Sequence, residues 1–85
     1  APRQANILDT LGWLLTTGGH DLQRGTALLS KAVELAPRVP VYRLHYAQAL
    51  AKQNARTQAR QQLAPLIRLK GPLGDEARNI DAGLR

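Results

Sequence analysis

The chain has 85 residues, a formal net charge of +6 and no cysteine. A chain of this length forms one small domain. The lack of cysteine excludes disulfides, thiolate nucleophiles and cysteine-based zinc sites, and no apolar run is long enough to cross a bilayer.

Composition favours helices throughout the chain. Alanine, leucine, glutamine and arginine are abundant, whereas β-branched residues are few and the aromatic residues are one Trp and two Tyr. Alanine and straight-chain residues form helices readily, and strands prefer the residue types that are scarce here. We therefore predict an all-α fold.

The first predicted helix runs from about residue 7 to residue 17. Apolar or small residues recur along it at i, i+3, i+4 and i+7, and these are Leu8, Leu11, Gly12 and Leu15. This spacing places them on one side of a helix, which we expect to be buried. Two consecutive glycines then end the helix.

Asp21 is well placed to cap a second helix, because aspartate accepts hydrogen bonds from the free N–H groups of a first turn. This helix has a broad face of small and apolar residues, namely Leu22, Gly25, Leu28, Leu29, Ala32, Val33 and Ala36. Pro37 ends it. Since the turn between the two helices is so short, we expect them to pack antiparallel.

The pattern then begins again. Pro40 suits the first turn of a third helix, where its missing N–H removes no hydrogen bond. Asn54 can adopt the left-handed conformation that ends this helix. A fourth helix is predicted to stop before Gly71 and Pro72, and it carries Ala55, Ala59, Leu63, Leu66 and Ile67. Pro65 within it predicts either a kink near residues 61–65 or a helix restarting at the proline. The predicted buried side of the third helix consists of Leu44, Tyr46, Ala47, Leu50 and Ala51.

A last helix is opened by Gly74 and Asp75. Ala77, Ile80 and Leu84 lie on one side of it, and the other positions are mostly polar or charged. This pattern is typical of a terminal cap whose outer face meets water.

Two segments of the chain repeat each other at a period near 34 residues. Leu11, Gly12 and Leu15 correspond to Tyr46, Ala47 and Leu50, whereas Gly25, Leu29 and Ala32 correspond to Ala59, Leu63 and Leu66. Such a period indicates a solenoid of helix pairs. We place repeat one at about residues 6–37, repeat two at about 40–71 and the capping helix at about 74–84, within a single domain over residues 1–85.

These residues resemble the tetratricopeptide-repeat (TPR) family, in which helix A carries large, large, small and large residues and helix B carries small, large and small residues before a proline. Repeat one fills these positions with Leu8, Leu11, Gly12, Leu15, Gly25, Leu29, Ala32 and Pro37, and repeat two with Arg43, Tyr46, Ala47, Leu50, Ala59, Leu63, Leu66 and Gly71. Arg43, Leu66 and Gly71 depart from the family pattern. The resemblance implies a right-handed superhelical array of two antiparallel helix pairs followed by a capping helix.

A narrower likeness concerns the segments from Leu8 to Trp13 and from Tyr46 to Leu50. They look like the C-terminal repeats of bacterial envelope TPR proteins, including lipoproteins associated with exopolysaccharide and exosortase systems. That likeness implies a location in the bacterial periplasm or envelope. Because the chain begins at Ala1 and contains no methionine, we expect it to be a processed product or an excerpt from a longer protein.

In TPR proteins a partner peptide lies in the concave groove lined by the A helices. Carried over by position, the resemblance places in this groove Asn6, Asp9, Thr10, Trp13, Thr16 and Thr17 of repeat one and Val41, Leu44, His45, Gln48 and Lys52 of repeat two. It implies a scaffold that recognises a partner protein or peptide by polar contacts and a few apolar anchors.

Two groove residues have a second interpretation. Trp13 could anchor a partner, or it could pack between the A helices, which we favour because the chain has so few aromatic residues. His45 could ligate a metal, but further ligands at a suitable spacing are absent from the sequence. We therefore predict a groove-lining or half-buried histidine and no cofactor.

The basic residues are concentrated in one part of the chain. Between Glu34 and Asp75 there are seven basic residues and no acid. Arg56 and Arg60 lie one helical turn apart, and Arg43 belongs to the other helix of the same pair. Such a basic face could bind phosphate, nucleic acid or an acidic polymer. No aromatic residues interleave with it, so we favour a solvated surface and do not expect nucleic acid as a partner.

No catalytic constellation is recognisable in the sequence. The six acidic residues are scattered, and neither a nucleophile paired with a base nor a glycine-rich phosphate loop is found. We predict a protein-binding scaffold and not an enzyme. A basic anion-binding module and a purely structural end of a longer solenoid remain the alternatives. A stack of two repeats is thin, which favours self-association or domain swapping through its N-terminal edge.

Overall fold

The computed structural model describes residues 2–85, and over that range all regular secondary structure is helical. The helices are α1 (Pro2–Gly18), α2 (Leu22–Leu35), α3 (Pro40–Lys52), α4 (Arg56–Leu63) and α5 (Pro72–Leu84). The predicted all-α fold is confirmed. α1 and α5 begin earlier than predicted, and α5 does so because Pro72 fits the first turn of a helix.

Three predicted helix ends are confirmed. Oδ1 of Asp21 accepts a hydrogen bond from the backbone N–H of Arg24, at 3.0 Å, and so caps α2. Pro40 stands at the first position of α3. Asn54 has a φ of 62°, the left-handed conformation that turns the chain after α3.

The predicted length of the fourth helix is wrong, because α4 ends at Leu63. Pro65 has no N–H to donate and its ring crowds the preceding turn, so a regular α-helix cannot continue through it. Tighter turns follow, in which N–H of Leu66 donates to O of Leu63 at 2.8 Å and N–H of Leu69 donates to O of Leu66 at 3.0 Å. The next helix begins only at Pro72.

α1 and α2 cross at a pair of glycines. A methyl carbon placed on Gly12 would lie 2.9 Å from O of Gly25, and one on Gly25 would lie 2.8 Å from O of Gly12. Neither methyl group fits without movement of the facing backbone. Further along the same pair, Ala5 and Ala32 share a buried cluster. These two contacts run in opposite chain directions, so α1 and α2 are antiparallel as predicted.

α3 lies at the centre of the domain. Each helix packs against the next in the chain, and α3 also contacts α1 and α5. One buried cluster joins α1, α2 and α3 through Ala5, Ala32 and Tyr42. The other joins α3, α4, the turn after α4 and α5, and consists of Leu44, Ala47, Leu63, Leu66 and Ala77. Ile80 and Leu84 pack against this second cluster, so the predicted inner side of the last helix is confirmed.

The predicted buried side of α1 is partly wrong. Gly12 is buried, but Leu11 is 42% exposed. Its counterpart in the repeat, Tyr46, is half-buried. The neighbouring helices explain the difference. α2 packs against the side of α3 that carries Tyr46, whereas α1 contacts only α2 and α3 among the helices described, and neither of them covers Leu11.

Candidate functional site

A buried carboxylate on α1 contacts an imidazole on α3. Nδ1 of His45 lies 2.9 Å from Oδ1 of Asp9, and the two side chains are 18% and 9% exposed, respectively. Because an ionised carboxylate can only accept, the ring N–H at Nδ1 is the donor. Water competes little at this depth, so the hydrogen bond fixes the position of α1 against α3.

Trp13 covers this pair from the same helix as Asp9. Its ring stacks on that of His45, with the centroids 4.1 Å apart and the planes inclined by 11°. Trp13 lies one turn after Asp9, so a single turn of α1 supplies both the hydrogen-bond acceptor and the stacking ring. This geometry agrees with the packing interpretation of Trp13. The residue is only half-buried, so part of it faces solvent.

Three other predicted groove residues of α1, Asn6, Thr10 and Thr17, are exposed. With Trp13 they recur at i, i+4, i+7 and i+11, which keeps them on one side of the helix. The hydroxyl of Thr17 donates to O of Trp13 at 2.9 Å. The Trp13–His45 contact joins this side of α1 to α3.

Two groove residues of α1 are unavailable to a partner. Asp9 is buried and engaged by His45. Thr16 is 2% exposed, and its hydroxyl donates to O of Gly12 at 2.8 Å. Both point toward α2 and α3, whose packing buries this side of α1. Their placement in the groove is wrong, although Asp9 still shapes the surface by positioning His45.

On α3 the predicted groove residues have different environments. Lys52 is exposed, and Nε2 of Gln48 donates to Oε2 of Glu76 at 3.2 Å. Val41 packs against the first cluster. Leu44 is buried in the second cluster, so its placement in the groove is wrong and its alternative placement on the buried side is confirmed. The reason is α5, which covers the side of α3 on which Leu44 lies.

A second candidate site is a cleft of about 470 Å³ between α4 and α5. Its lining consists of Arg56, Thr57, Arg60, Gln61, Ala64, Ile67, Asp81, Leu84 and Arg85. At its centre Nε of Arg60 lies 3.1 Å from Oδ1 of Asp81, and Nη2 of Arg85 lies 3.1 Å from Oδ2 of the same carboxylate. The cleft therefore holds three guanidinium groups and one carboxylate.

Asp81 remains ionised in this cleft. The hydrogen bond from Arg60 holds the pKa of Asp81 below its ordinary value, and Arg85 acts in the same direction, while burial of the carboxyl opposes both. Two of the three arginines thus share one negative charge. Arg56 has no salt-bridge partner within residues 2–85 and is the cation best able to meet an external anion.

The predicted basic face is only partly assembled. Arg56 and Arg60 line the cleft, whereas Arg43 does not. Nη1 of Arg43 donates to Oε1 of Gln62 at 2.9 Å, and its Nη2 donates to O of Pro37 at 3.1 Å. Its guanidinium is therefore occupied on another side of the helix pair. Arg85 takes its place, which sequence reasoning missed because the contact depends on how α5 packs.

Sequence reasoning also missed an apolar stripe on α1. Ile7, Leu11 and Leu14 are 59%, 42% and 61% exposed, respectively. With Asn6 and Thr10 they line a shallow depression on the outer side of the helix. Their spacing of i, i+4 and i+7 was a usable signal, but the period of the repeat assigned Leu11 to the buried side.

Within residues 2–85, no three or more His, Asp or Glu side chains lie close enough together to hold a metal ion. None of the helices of that part is both long and apolar enough to span a membrane.

Comparisons of the chain with protein-family models, with curated proteins and with solved structures found no match. The resemblance to TPR proteins therefore depends on the repeat and the residue sizes in the sequence alone.

Proposed function

We propose that this chain is a TPR-like protein-binding module, in which the helix pairs α1–α2 and α3–α4 form a right-handed array closed by α5. The support for the array is a correspondence between contacts. Leu44 and Gln48 lie 35 residues after Asp9 and Trp13. Asp9 and Trp13 contact His45 of α3. In the same way, Leu44 and Gln48 contact residues of α5.

The observation that carries the proposal is the contact between Trp13 and His45. It joins the solvent-facing sides of α1 and α3 into one surface, which we name the α1–α3 surface and define as Asn6, Thr10, Trp13, Thr17, His45, Gln48 and Lys52. Hydroxyl and amide groups in this set suit the backbone of an extended or helical peptide. The half-buried ring of Trp13 offers an apolar contact at the centre.

The charge of the surface indicates what kind of segment it binds. Lys52 is exposed and is the only Lys, Arg, Asp or Glu among the seven residues of this surface, whereas Asp9 is buried and Glu76 lies at its edge, where it accepts a hydrogen bond from Gln48. The whole chain carries +6. A partner segment with an apolar residue near Trp13 and an acidic residue near Lys52 fits these features best.

Selection of binders from a library of random linear peptides tests this proposal. Selected peptides should change the fluorescence of Trp13, the only tryptophan. Lys52→Glu should weaken the affinity for these peptides by about tenfold or more, as expected for loss of a charged contact. Lys70→Glu is the matched control, because Lys70 is exposed on the turn before α5 and lies outside the α1–α3 surface. Peptides that bind both variants equally and leave Trp13 unaffected would refute the proposal.

A second function is supported by the cleft between α4 and α5. Arg56, Arg60 and Arg85 surround one carboxylate there, so the cleft has an excess of positive charge. We propose it as the anion-binding alternative, for a segment of an acidic polymer. No aromatic residue lines the cleft, so stacking on nucleic-acid bases does not contribute.

Salt dependence separates this alternative from peptide recognition. A fluorescent oligonucleotide and polyglutamate should each bind at about 20 mM salt and weaken steeply by about 150 mM salt, because counterions compete for the guanidinium groups. Arg56→Gln should reduce this binding, whereas Arg38→Gln, at an exposed residue between α2 and α3, should not. Lack of binding by both probes at the lower salt concentration would eliminate the alternative.

A further inference from the structure

The apolar stripe of Ile7, Leu11 and Leu14 has no covering element in residues 2–85. All three side chains are long and apolar, and two of them belong to residues that are more than half exposed. Single exposed leucines are common on protein surfaces, but a contiguous apolar patch marks an interaction site. Neither the α1–α3 surface nor the cleft includes these residues.

The repeat shows what shape of partner this stripe receives. Thirty-five residues later in the chain stand Tyr42, Tyr46 and Ala49. Tyr42 and Ala49 are buried and Tyr46 is half-buried, because this side of α3 is covered by α2. Tyr42 shares a cluster with Ala32 of that helix. The corresponding side of α1 is therefore built to receive a helix.

We propose that a second copy of this chain supplies that helix, so that two α1 helices pack antiparallel about a two-fold axis through Leu11. In this arrangement Leu11 meets Leu11 of the second copy, and Ile7 of each copy lies beside Leu14 of the other. The stripe is thus self-complementary, as an isologous interface requires.

The rest of the surface favours this pairing over any other contact between two copies. The other large apolar side chains exposed within residues 2–85 are Leu35 and Leu69. They lie on different parts of the chain and form no stripe. Packing α1 against α1 therefore buries a contiguous set of three apolar side chains on each copy, whereas a contact at Leu35 or Leu69 would bury one.

The charges at the ends of α1 support the antiparallel direction. Arg3 lies in the first turn, where it opposes the partial positive charge of its own helix terminus. The last turn of α1 contains no basic residue. Antiparallel pairing places each Arg3 beside the carbonyl end of the other α1, so both charges find a favourable position.

The small size of the interface and the net charge of the chain limit the affinity of this dimer. Three side chains make a small interface, of the size seen in weak and transient association, so we expect a dissociation constant on the order of 100 μM. Each copy carries +6, and the two copies therefore repel each other. Screening by salt reduces this repulsion. Dimerisation should thus strengthen with salt, whereas anion binding by the cleft weakens.

Analytical ultracentrifugation from about 10 μM to about 1 mM protein brackets this affinity and tests the proposal. The wild-type chain should sediment increasingly as a dimer, and Leu11→Glu should remain monomeric. Leu69→Glu is the matched control and should dimerise like the wild type. Circular dichroism checks that each variant folds, and the Ile7→Gln/Leu14→Gln double variant repeats the test at more exposed positions. A wild-type monomer throughout, or a dimer unaffected by these changes, overturns the proposal.

Disulfide cross-linking tests the axis itself, because the chain contains no cysteine. Leu11→Cys should form a covalent dimer rapidly under mild oxidation, since a two-fold axis at this position brings the two sulfur atoms together. Leu69→Cys should cross-link slowly. Equal rates for the two variants would overturn the antiparallel arrangement. These experiments leave Trp13 and Lys52 unchanged, so their failure is distinguishable from failure of peptide binding.

Discussion

Replacing Gly12 with alanine should destabilise the protein, although alanine is the better helix former. In a helix interior the change from glycine to alanine favours folding by about 1 kcal/mol. At Gly12 the new methyl carbon would lie 2.9 Å from O of Gly25, 2.9 Å from Cγ of Leu29 and 3.1 Å from Cβ of Leu28. The first of these atoms belongs to the backbone, so α2 must shift to relieve the overlap.

Overpacking of this kind costs about 1 to 3 kcal/mol, and the backbone contact argues for the upper end of that range. After subtraction of the helix preference, we expect Gly12→Ala to lower the free energy of unfolding by about 2 kcal/mol. For a domain of this size that loss lowers the melting temperature by about 10 °C.

Gly83→Ala is the matched control. Gly83 lies in α5, and a methyl group there would meet no atom within 4 Å. The helix preference then acts alone, reduced by fraying at the end of the helix, and the variant should gain about 0.5 kcal/mol. Urea denaturation followed by far-ultraviolet circular dichroism measures both changes. If Gly12→Ala is stabilising to the same degree as Gly83→Ala, the close crossing of α1 and α2 is refuted.

Three further substitutions test separate parts of the structure. Asp9→Ala should cost about 2 kcal/mol in urea denaturation, because it leaves the half-buried ring of His45 without its partner; additive effects of Asp9→Ala and His45→Ala in a double-mutant cycle would refute that coupling. Asp81→Asn should destabilise the protein at neutral pH. Arg60 holds the pKa of Asp81 below its ordinary value of 3.8, so the stabilisation by this carboxylate is present above pH 3.8 and is lost as the pH falls below that value. The free energies of unfolding of wild type and variant should therefore converge in acid, and a constant difference between them would contradict this account. Asn54→Gly should add about 0.5 kcal/mol, because glycine adopts the φ of 62° at Asn54 without strain; a loss of stability would show that the asparagine side chain matters there.

The elements of the fold were predictable because each depends on short stretches of chain. Asp21 caps α2, Pro40 opens α3 and Asn54 turns the chain after it, all as local sequence preferences require. Pro65 also indicated a break in the fourth helix. The conformation of the chain at that break depended on the packing of Leu63 and Leu66 in the core.

The candidate sites were less predictable, because they depend on which helices become neighbours. Trp13 and His45 were assigned to one surface by the repeat, yet their stacking and the hydrogen bond to Asp9 required α1 and α3 to lie side by side. Arg85 joined the cleft in place of Arg43 for the same reason. No spacing within a single helix encodes such a contact.

The sequence by itself determined the helices, their order and the small residues at which they cross, because hydrogen bonding, capping and side-chain size act over a few residues. Only the tertiary structure decided which sides of those helices face water. Leu44 is buried in the second core cluster, whereas Leu11 is left exposed, although both are leucines in the middle of helices. Burial is a property of the neighbours that a side chain meets, and those neighbours are set by the packing of the whole chain.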